Sequence, residues 1–328
     1  MRVLVTGGAG FIGSNFVRHL LRTDRGIEIF NLDLLTYAGN LSNLADLTGD
    51  PRHRFIEGDI ADAVCVGEIL RRGIDAVINF AAETHVDRSI EDPGAFLHTN
   101  VQGTYTLLVA ARRYGVSRFL QVSTDEVYGS LGPTGKFTEA SPYAPSSPYA
   151  ASKAAADLLI RSFVHTYDFP AIITRASNNF GPYQHPEKLI PRLITRALRG
   201  ESLLLYGDGL HVREWLYVID HCIALERILR EGRVGEIYNI GGGTEKRNIE
   251  IARLILEALG KPETMIEYVE DRPGHDRRYA LDTTKIRREL RWSPCHSFSE
   301  ALRATVGWYC EHRGWWEGLL APCGGEGG

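Results

Sequence analysis

The chain has 328 residues, with 41 acidic and 37 basic side chains and a formal net charge of -4, so we do not expect nucleic acid as a partner. No apolar run reaches the roughly 20 residues of a membrane span, and the amino terminus begins with a strand-like segment rather than a signal peptide, which predicts a cytoplasmic protein without a membrane partner. The five cysteines include no Cys-x-x-Cys pair, so we expect reduced thiols and no metal site.

The amino-terminal segment predicts a dinucleotide site. A buried-strand pattern at Arg2–Thr6 leads into Gly7, Gly10 and Gly13 and then an amphipathic helix. Glycines at this spacing allow a tight turn and a close approach of the backbone to a pyrophosphate, which the helix N-terminus attracts. Asp33 follows about twenty residues later at the end of the next strand pattern, where a ribose-binding carboxylate is expected. An acid at this position favours NAD over NADP.

The next segments continue an alternation of strands and helices. Asp59 ends a third strand pattern, where it could reach the adenine edge or equally cap the following helix, and residues 75–82 form a fourth strand before a polar loop at 83–89. Alternation of this kind predicts an α/β fold with a doubly wound parallel (Rossmann) sheet. The remaining predicted elements of this part are helices at Asn100–Arg113 and Ser147–Tyr167 and strands at Arg118–Val122 and Ala171–Arg175.

The sequence pattern changes after Arg175, where turn-rich sequence replaces the regular alternation of strands and helices. We therefore predict an NAD-binding domain over residues 1–176, with a return of the chain near 214–230, and a smaller mixed α/β domain that is mainly substrate-binding over 177–320. The glycine-rich tail at 321–328 is expected to be disordered. Two charged clusters, Pro186–Pro191 and Asp271–Arg278, supply with Arg213 cations suited to a second diphosphate, although ordinary solvated charge runs would look the same.

One stretch combines several groups capable of acid/base chemistry. Thr124, Asp125 and Glu126 follow a buried-strand pattern, and carboxyl ends of strands are where open α/β sheets place active groups. Tyr149 and Lys153 are four residues apart in an Ala-rich segment, so they should share a helix face, where the ammonium would lower the pKa of the phenol. Different surroundings could keep one of the adjacent carboxyl groups protonated and the other ionised. Taken singly, each pair would more often be a solvated helix face or loop polarity.

Several longer motifs carry a family resemblance. The chain resembles the extended short-chain dehydrogenase/reductases and, within them, the dTDP-glucose 4,6-dehydratases along nearly its whole length. The motifs are Thr6–Gly13, Leu35–Asn40, Ala81–Ile90, Ser123–Gly129, Ser147–Tyr149, Asn178–Asn179, Pro186–Pro191 and Asp271–Tyr279.

The resemblance implies a reaction in which NAD is reduced and then reoxidised. Tyr149, assisted by Lys153, would take the proton of the sugar hydroxyl at carbon 4, and Thr124 would hydrogen-bond that oxygen. Glu126 would remove the proton at carbon 5, and Asp125 would protonate the hydroxyl that leaves carbon 6. NAD would accept a hydride from carbon 4 and return it to carbon 6, without net redox change.

Other functions on the same scaffold fit these residues less well than dehydration does. A 4-epimerase or a decarboxylase acting on a UDP or GDP sugar would not need both carboxyl groups, and a non-catalytic NAD-binding sensor would have lost one of the reactive side chains.

The resemblance also implies the residues that surround each ligand. The cofactor would contact Gly7, Gly10, Phe11, Ile12, Gly13, Asp33, Leu34, Leu35, Thr36, Asp59, Ile60, Phe80, Ala81, Ala82, Glu83, Thr84, Thr99, Tyr149, Lys153 and Asn179. The nucleotide sugar, dTDP-glucose, would contact Thr84, His85, Thr124, Asn178, Lys188, Leu189, Leu204, Leu205, Tyr206, Arg213, Asn248, Asp271, Arg272 and His275.

A homodimer is implied as well. It would form through the two helices that carry Leu107, Leu108, Ala155, Leu159 and Phe163, unless those side chains face the sheet.

Overall fold

The computed structural model describes residues 1–271 and 276–320 of the chain. Its strands are β1 (Arg2–Thr6), β2 (Glu28–Asp33), β3 (His53–Glu57), β4 (Ala76–Asn79), β5 (Arg118–Thr124), β6 (Ala171–Ala176), β7 (Asn178–Phe180), β8 (Leu203–Tyr206), β9 (Val212–Tyr217), β10 (Ile237–Ile240), β11 (Thr244–Arg247) and β12 (Ile266–Val269).

The helices alternate with the strands in the first half of the chain. They are α1 (Phe11–Thr23), α2 (Ala63–Leu70), α3 (Val86–Glu91), α4 (Gly94–Phe96), α5 (Thr104–Arg113), α6 (Pro148–Tyr167), α7 (Leu189–Arg199), α8 (Val218–Glu231), α9 (Asn248–Ala258), α10 (Thr284–Leu290), α11 (Phe298–Glu311) and α12 (Arg313–Leu320). Short 3₁₀ turns lie at Leu41–Leu47, Asp125–Tyr128 and Glu263–Met265, and a π-helix at Leu97–Gly103.

The central sheet has seven parallel strands in the order β10-β6-β5-β4-β1-β2-β3. The strand order reverses between β1 and β4. In open sheets such a reversal leaves a crevice outside the carboxyl ends of the strands, and ligands bind there. The predicted doubly wound parallel sheet is confirmed. The glycine turn that follows β1 lies at its switch point, between β1 and β4.

Helices cover both faces of the sheet because its strands are apolar on both sides. On one face α1 packs against α8, with Phe16 and Leu20 of α1 and Ile228 of α8 fully buried. On the other face α2, α5 and α6 form the second core layer. The chain thus returns to the sheet with α8 and β10 after it has left β6.

A second group of elements lies beyond β6. A three-stranded sheet, β11-β9-β7, and a two-stranded sheet, β12-β8, pack with α7, α9, α11 and α12 around a separate apolar core. Within residues 1–271 and 276–320, no helix is both long enough and apolar enough to cross a membrane.

Two local predictions on the way to the site were wrong. The polar stretch predicted as a loop over 83–89 turns helical at Val86, because the ring of His85 caps α3 by accepting the Arg88 N–H. The helix predicted from Asn100 begins instead as the π-helix at Leu97–Gly103. The spacing of apolar residues does not predict the wider turn of a π-helix.

The helices predicted to carry a dimer face bury three of the five residues named for it. Leu107, Leu108 and Phe163 lie in the core against the sheet, which is the alternative that the sequence had left open. The side chains that these helices expose instead include Tyr105, Val109 and Leu158.

Candidate active site

An open cleft lies at the carboxyl ends of the central strands, on both sides of the switch point. Its lining includes Gly7 after β1, Asp33 at the end of β2, Phe80 after β4 and Ser123 near the end of β5. These residues are far apart in sequence, and the sheet register brings them to one edge of the sheet.

The glycine turn leaves no room for side chains. A Cβ on Gly7, whose φ is +69°, would lie 2.6 Å from the Ala81 nitrogen, and one on Gly13 would lie 2.2 Å from the Gly7 carbonyl oxygen. The turn therefore packs directly against the end of β4 and lets α1 begin at Phe11, so backbone N–H groups at the start of α1 lie at the cleft. A diphosphate fits such a bare helix N-terminus.

Asp33 is held at the opposite end of this turn. One carboxylate oxygen accepts the Ala9 N–H at 2.8 Å and the other accepts the Leu35 N–H at 2.9 Å. Burial raises the pKa of Asp33, and these two hydrogen bonds oppose the rise. Each oxygen accepts one backbone N–H, so lone pairs remain for the two hydroxyls of a ribose. The glycine turn and this carboxylate together fit an NAD molecule.

Asp59 lines the same end of the cleft and does not cap the following helix. One carboxylate oxygen accepts the Ala61 N–H at 2.8 Å, and the other lies 2.9 Å from a ring nitrogen of His98. The cap of α2 is Asp62, which accepts the N–H groups of Val64 and Cys65. Of the two roles that the sequence left open for Asp59, the helix cap is therefore wrong.

The predicted acid/base residues meet at the end of β5. Thr124 is the N-cap of the 3₁₀ turn Asp125–Tyr128, and its hydroxyl accepts the Glu126 N–H at 3.2 Å and donates to a carboxyl oxygen of Asp125 at 3.4 Å. This cap makes the chain turn sharply, so two carboxyl groups and a hydroxyl are concentrated where the strand stops.

Helix α6 brings Tyr149 and Lys153 to the same place. Ser147 caps this helix by accepting the Ala150 N–H at 3.1 Å, and Pro148 occupies its first turn, so Tyr149 is fixed near the helix start. Tyr149 and Lys153 are both buried and both line the cleft.

Asp125 is 2% exposed, and its surroundings favour the protonated form. Burial raises the pKa of its carboxyl well above the ordinary value, and the negative charges of Glu126 and Glu214 raise it further, while Arg213 opposes them. Two adjacent carboxyl groups in a dry site cannot both ionise cheaply, and the burial of Asp125 favours its protonated form.

The expectation that Lys153 lowers the pKa of Tyr149 is wrong for this structure. Burial raises the pKa of Tyr149, and the negative charge of Glu126 adds to that effect, while a hydrogen bond with Thr124 opposes it. Lys153 donates to the Val122 carbonyl oxygen at 2.8 Å, and burial lowers the pKa of its ammonium to about 8. Desolvation thus sets the direction of the pKa shift of Tyr149.

Most of the residues predicted for the cofactor line the cleft. The exceptions are Leu35, whose N–H is bound to Asp33, and Asn179. The Asn179 side chain donates to the Ser177 carbonyl oxygen at 2.9 Å and lies 2.9 Å from a ring nitrogen of His221, so its polar atoms are engaged within the protein. Those that line the cleft are Gly7, Gly10, Phe11, Ile12, Gly13, Asp33, Leu34, Thr36, Asp59, Ile60, Phe80, Ala81, Ala82, Glu83, Thr84, Thr99, Tyr149 and Lys153.

Several lining residues were not among those predicted to contact either ligand. Gly58 and Ser123 come directly after or at the end of a parallel strand, and that position was the signal for them. Gln184, His185 and Glu187 come from the segment before α7, and of these only Glu187 lies in the charged cluster Pro186–Pro191 that the sequence had indicated. The others are Leu32, Ala38, Gly39 and Val122.

Two of the residues predicted for the substrate, Thr84 and Lys188, lie at the cleft. The Lys188 ammonium donates to the Thr84 carbonyl oxygen at 3.1 Å and lies 3.6 Å from a carboxylate oxygen of Glu187. His85 caps α3, with its other ring nitrogen 3.7 Å from Glu187, and Leu189 begins α7.

The other predicted substrate residues come from the second group of elements. Arg213 of β9 donates to the Asp276 carbonyl oxygen at 2.9 Å, with its guanidinium carbon 4.7 Å from the centre of the Tyr279 ring. Asn178 begins β7, Asn248 begins α9, and Asp271 lies 3.3 Å from a ring nitrogen of His211.

In strand β8, Leu204 and Tyr206 are half-buried, whereas the side chain of Leu205 is in the core and can offer only its backbone. The predictions for Arg272, for His275 and for a disordered tail at 321–328 concern residues outside the described ranges. Within those ranges, no cluster of His, Cys, Asp and Glu side chains could hold a metal ion.

Comparison with known proteins places the chain in a family. The sequence model of the family described as GDP-mannose 4,6 dehydratase matches residues 4–305. The chain belongs to this family. It is 55% identical to a dTDP-glucose 4,6-dehydratase of Xanthomonas campestris pv. campestris (strain B100), over 97% of this chain and 95% of that protein.

Solved structures agree with this assignment. A dTDP-glucose 4,6-dehydratase of Streptomyces venezuelae, crystallised with NAD and TYD bound, is 54% identical and superposes with a TM-score of 0.95, over 97% of this chain and 100% of that one. A UDP-glucose 4-epimerase of Thermotoga maritima, crystallised with UDP-glucose, is 31% identical, with a TM-score of 0.89 over 95% of this chain and 99% of that one. The resemblance noted in the sequence is confirmed.

Proposed function

We propose that this chain is an NAD-dependent dTDP-glucose 4,6-dehydratase, a lyase that converts dTDP-glucose into dTDP-4-keto-6-deoxy-glucose and water. The observation that carries the proposal is the pair Asp125 and Glu126 beside Tyr149, with Asp125 buried so that it keeps its proton. An enzyme that only oxidised and reduced carbon 4 would need the phenol and the lysine but neither carboxyl group. Two carboxyl groups in different protonation states suit the removal of a proton from one carbon and of a hydroxyl from the next.

The cleft provides what a bound NAD requires. Backbone N–H groups at the start of α1 would hold the diphosphate, and Asp33 would accept hydrogen bonds from the adenosine ribose. Bound NAD supplies a hydride acceptor that the complete reaction restores to its starting state. The chain's own residues then have to bind the sugar, move protons and keep water out.

Tyr149 is the proposed base for the sugar hydroxyl at carbon 4, with Thr124 as the hydrogen-bond partner of the same oxygen. Because burial and Glu126 both disfavour the phenolate, a positive charge has to compensate. Lys153, four residues further along the same helix, supplies that charge, and its effect grows when substrate excludes water from the cleft.

Glu126 and Asp125 are proposed to eliminate water from the 4-keto sugar. The ketone acidifies carbon 5, Glu126 takes the proton from that carbon, and Asp125 gives its proton to the hydroxyl that leaves carbon 6. The Thr124 cap fixes both acids at the end of β5, so neither has to move between the two transfers.

For the nucleotide part of the substrate, we propose contacts with Thr84, Lys188, Arg213 and Asn248. Lys188 lies at the cleft, and the Asn248 side chain is buried at the start of α9. Lysine and arginine in such positions suit a diphosphate.

The direct test is incubation of the purified chain with dTDP-glucose, with detection of the keto product by its absorbance in alkali. UDP-glucose and GDP-mannose are assayed in parallel at the same concentrations. We expect product from dTDP-glucose, with at least tenfold lower kcat/KM for the other two. Turnover of a UDP or GDP sugar, with none of dTDP-glucose, would assign the chain to a sister activity instead.

Assembly and location complete the proposal. We propose a homodimer formed through the apolar side chains that α5 and α6 leave exposed, among them Tyr105, Val109 and Leu158, and a cytoplasmic location. Light scattering after gel filtration should give twice the chain mass of 36.5 kDa, and Val109→Glu together with Leu158→Glu should give the monomer mass. An unchanged mass in that double variant would move the interface elsewhere.

A further inference from the structure

A fully buried ion pair lies behind the site. Arg175 of β6 and Asp157 of α6 are both 0% exposed, and the arginine Nε donates to a carboxylate oxygen of Asp157 at 3.0 Å. Burying two charges is costly, and a pair of well-packed apolar side chains would often serve the fold equally well. The pair therefore calls for a reason beyond the stability of the fold.

Two tyrosine rings hold the arginine in place. The guanidinium carbon lies 4.6 Å from the centre of the Tyr128 ring and 4.4 Å from that of the Tyr143 ring, and Arg175 also donates to the Tyr143 hydroxyl. That hydroxyl is 3.5 Å from the same oxygen of Asp157, Oδ2, that Arg175 binds. Both hydrogen bonds end on Oδ2, so neither engages Oδ1.

Asp157 is connected to the active site by helix α6, which also carries Lys153. Lys153 precedes it by four residues on α6, so the two side chains are neighbours on one helix face. Arg175 is paired in register with Ser123, and the Lys153 ammonium donates to the carbonyl oxygen of Val122. Asp157 is thus bound directly to one cation, Arg175, and is four residues along α6 from a second, Lys153.

The charges of this layer act on one another. Burial raises the pKa of Asp157, and the largest opposing influence is Arg175, followed by Ser123 and Lys153. In turn, Asp157 is the charge that resists the lowering of the Lys153 pKa by burial. Other ionisable groups belong to the same region: Tyr149 and Asp157 are on the helix of Lys153, Arg175 binds Asp157, and Asp125 and Glu126 act on Tyr149. The cleft that Lys153 lines also includes Asp33, Asp59, Glu83, His185, Glu187 and Lys188.

We infer that Asp157 is a positioning residue for Lys153: its carboxylate, anchored by Arg175, keeps the buried ammonium charged and directed at the Val122 carbonyl. This inference rests on the proposed function for its consequence in turnover, since a charged Lys153 is what Tyr149 needs to lose its proton. The anchoring itself does not depend on which sugar is bound.

The test measures the protonation of Lys153 directly in the purified protein with its bound cofactor. Protein with ¹³C-labelled lysine side chains is titrated by NMR, and the Lys153 signal is assigned by its loss in Lys153→Met. In Asp157→Asn we expect the Lys153 midpoint to fall by about one pH unit or more, because an opposite charge in a dry site has been removed. The alkaline limb of the kcat profile should fall by the same amount, with KM little changed.

Tyr143→Phe is the matched control. It removes a hydrogen-bond partner of both Asp157 and Arg175 without removing a charge, so it should keep the wild-type Lys153 midpoint even if it lowers the melting temperature. If Asp157→Asn does not fold because Arg175 is left unpaired, Asp157→Asn combined with Arg175→Met removes both charges, and the lower midpoint should persist.

A wild-type midpoint in either folded Asp157 variant would overturn the inference and leave the ion pair a structural element. The proposed function fails in a different way, namely when wild-type protein gives no keto product from dTDP-glucose. That result would not affect the NMR titration.

Discussion

Replacing Asp125 by asparagine tests the proposed elimination step with the smallest change of shape. Asparagine keeps an oxygen that can accept the 3.4 Å hydrogen bond from Thr124, but it has no acidic proton to give. In the wild-type protein burial raises the pKa of Asp125 well above its ordinary value, which favours the protonated form that a general acid needs. The variant therefore removes the proton donor and leaves its surroundings in place.

The size of the effect follows from that role. General acid catalysis contributes roughly 10²- to 10⁴-fold to a rate, which corresponds to about 3–5 kcal/mol of activation free energy. We expect kcat of Asp125→Asn to fall within that range. Oxidation at carbon 4 uses Tyr149 and not Asp125, so in a single turnover the absorbance of reduced nicotinamide should rise at close to the wild-type rate and then persist.

Asp168→Asn is the control for the chemical change itself. Asp168 is exposed and ends α6 with φ +50°, a conformation that asparagine adopts readily, so this variant should keep wild-type kcat. Wild-type turnover in folded Asp125→Asn would refute the acid role. Loss of both nicotinamide reduction and product would instead mean that Asp125 acts before the elimination.

Three further substitutions test other parts of the site. Glu126→Gln should stop exchange of the carbon 5 hydrogen with solvent deuterium, measured by NMR of recovered sugar, and continued exchange would point to another base. Gly13→Ala would force a Cβ to 2.2 Å from the Gly7 carbonyl oxygen, so it should lower the free energy of unfolding by about 1–3 kcal/mol and reduce the amount of bound NAD. The control is Gly307→Ala within α11, where the new Cβ meets open space, and it should raise the free energy of unfolding by about 0.5–1 kcal/mol. Asp33→Asn should weaken NAD binding by calorimetry while leaving the melting temperature within a few degrees, and unchanged affinity would remove the ribose contact.

The parts of the molecule that the sequence predicted well involve residues that are close together in the sequence. Strand β1, the glycine turn and α1 are consecutive, and Tyr149 and Lys153 are four residues apart on one helix, so local spacing fixes their relation. The polar residues predicted at the end of β5 lie there in the structure, where Ser123 lines the cleft, because the carboxyl ends of parallel strands meet at one edge.

The features that the sequence did not reveal depend on contacts between distant segments. Glu214 acts on Asp125 from β9, and Arg175 reaches Asp157 only because β6 lies beside β5. The sequence also could not predict which side of α5 faces the sheet, because Leu108 on the buried side and Val109 on the exposed side are both apolar. Periodicity detects an apolar stripe, but it cannot choose between two.

The protonation of Asp125 links the proposed chemistry to stability, and the link has a definite sign. A carboxyl group in the unfolded chain loses its proton near pH 3.9, whereas folded Asp125 keeps it to a much higher pH. Between those two values the folded state binds more protons than the unfolded state, so the contribution of Asp125 to stability falls as the pH rises. Asp125→Asn, which has no proton to lose, should therefore match wild-type stability below about pH 4 and exceed it at pH 7 in thermal unfolding. A gain in stability together with the loss of turnover is expected of a group retained for chemistry, and a less stable variant at pH 7 would mean that the carboxyl group serves packing instead.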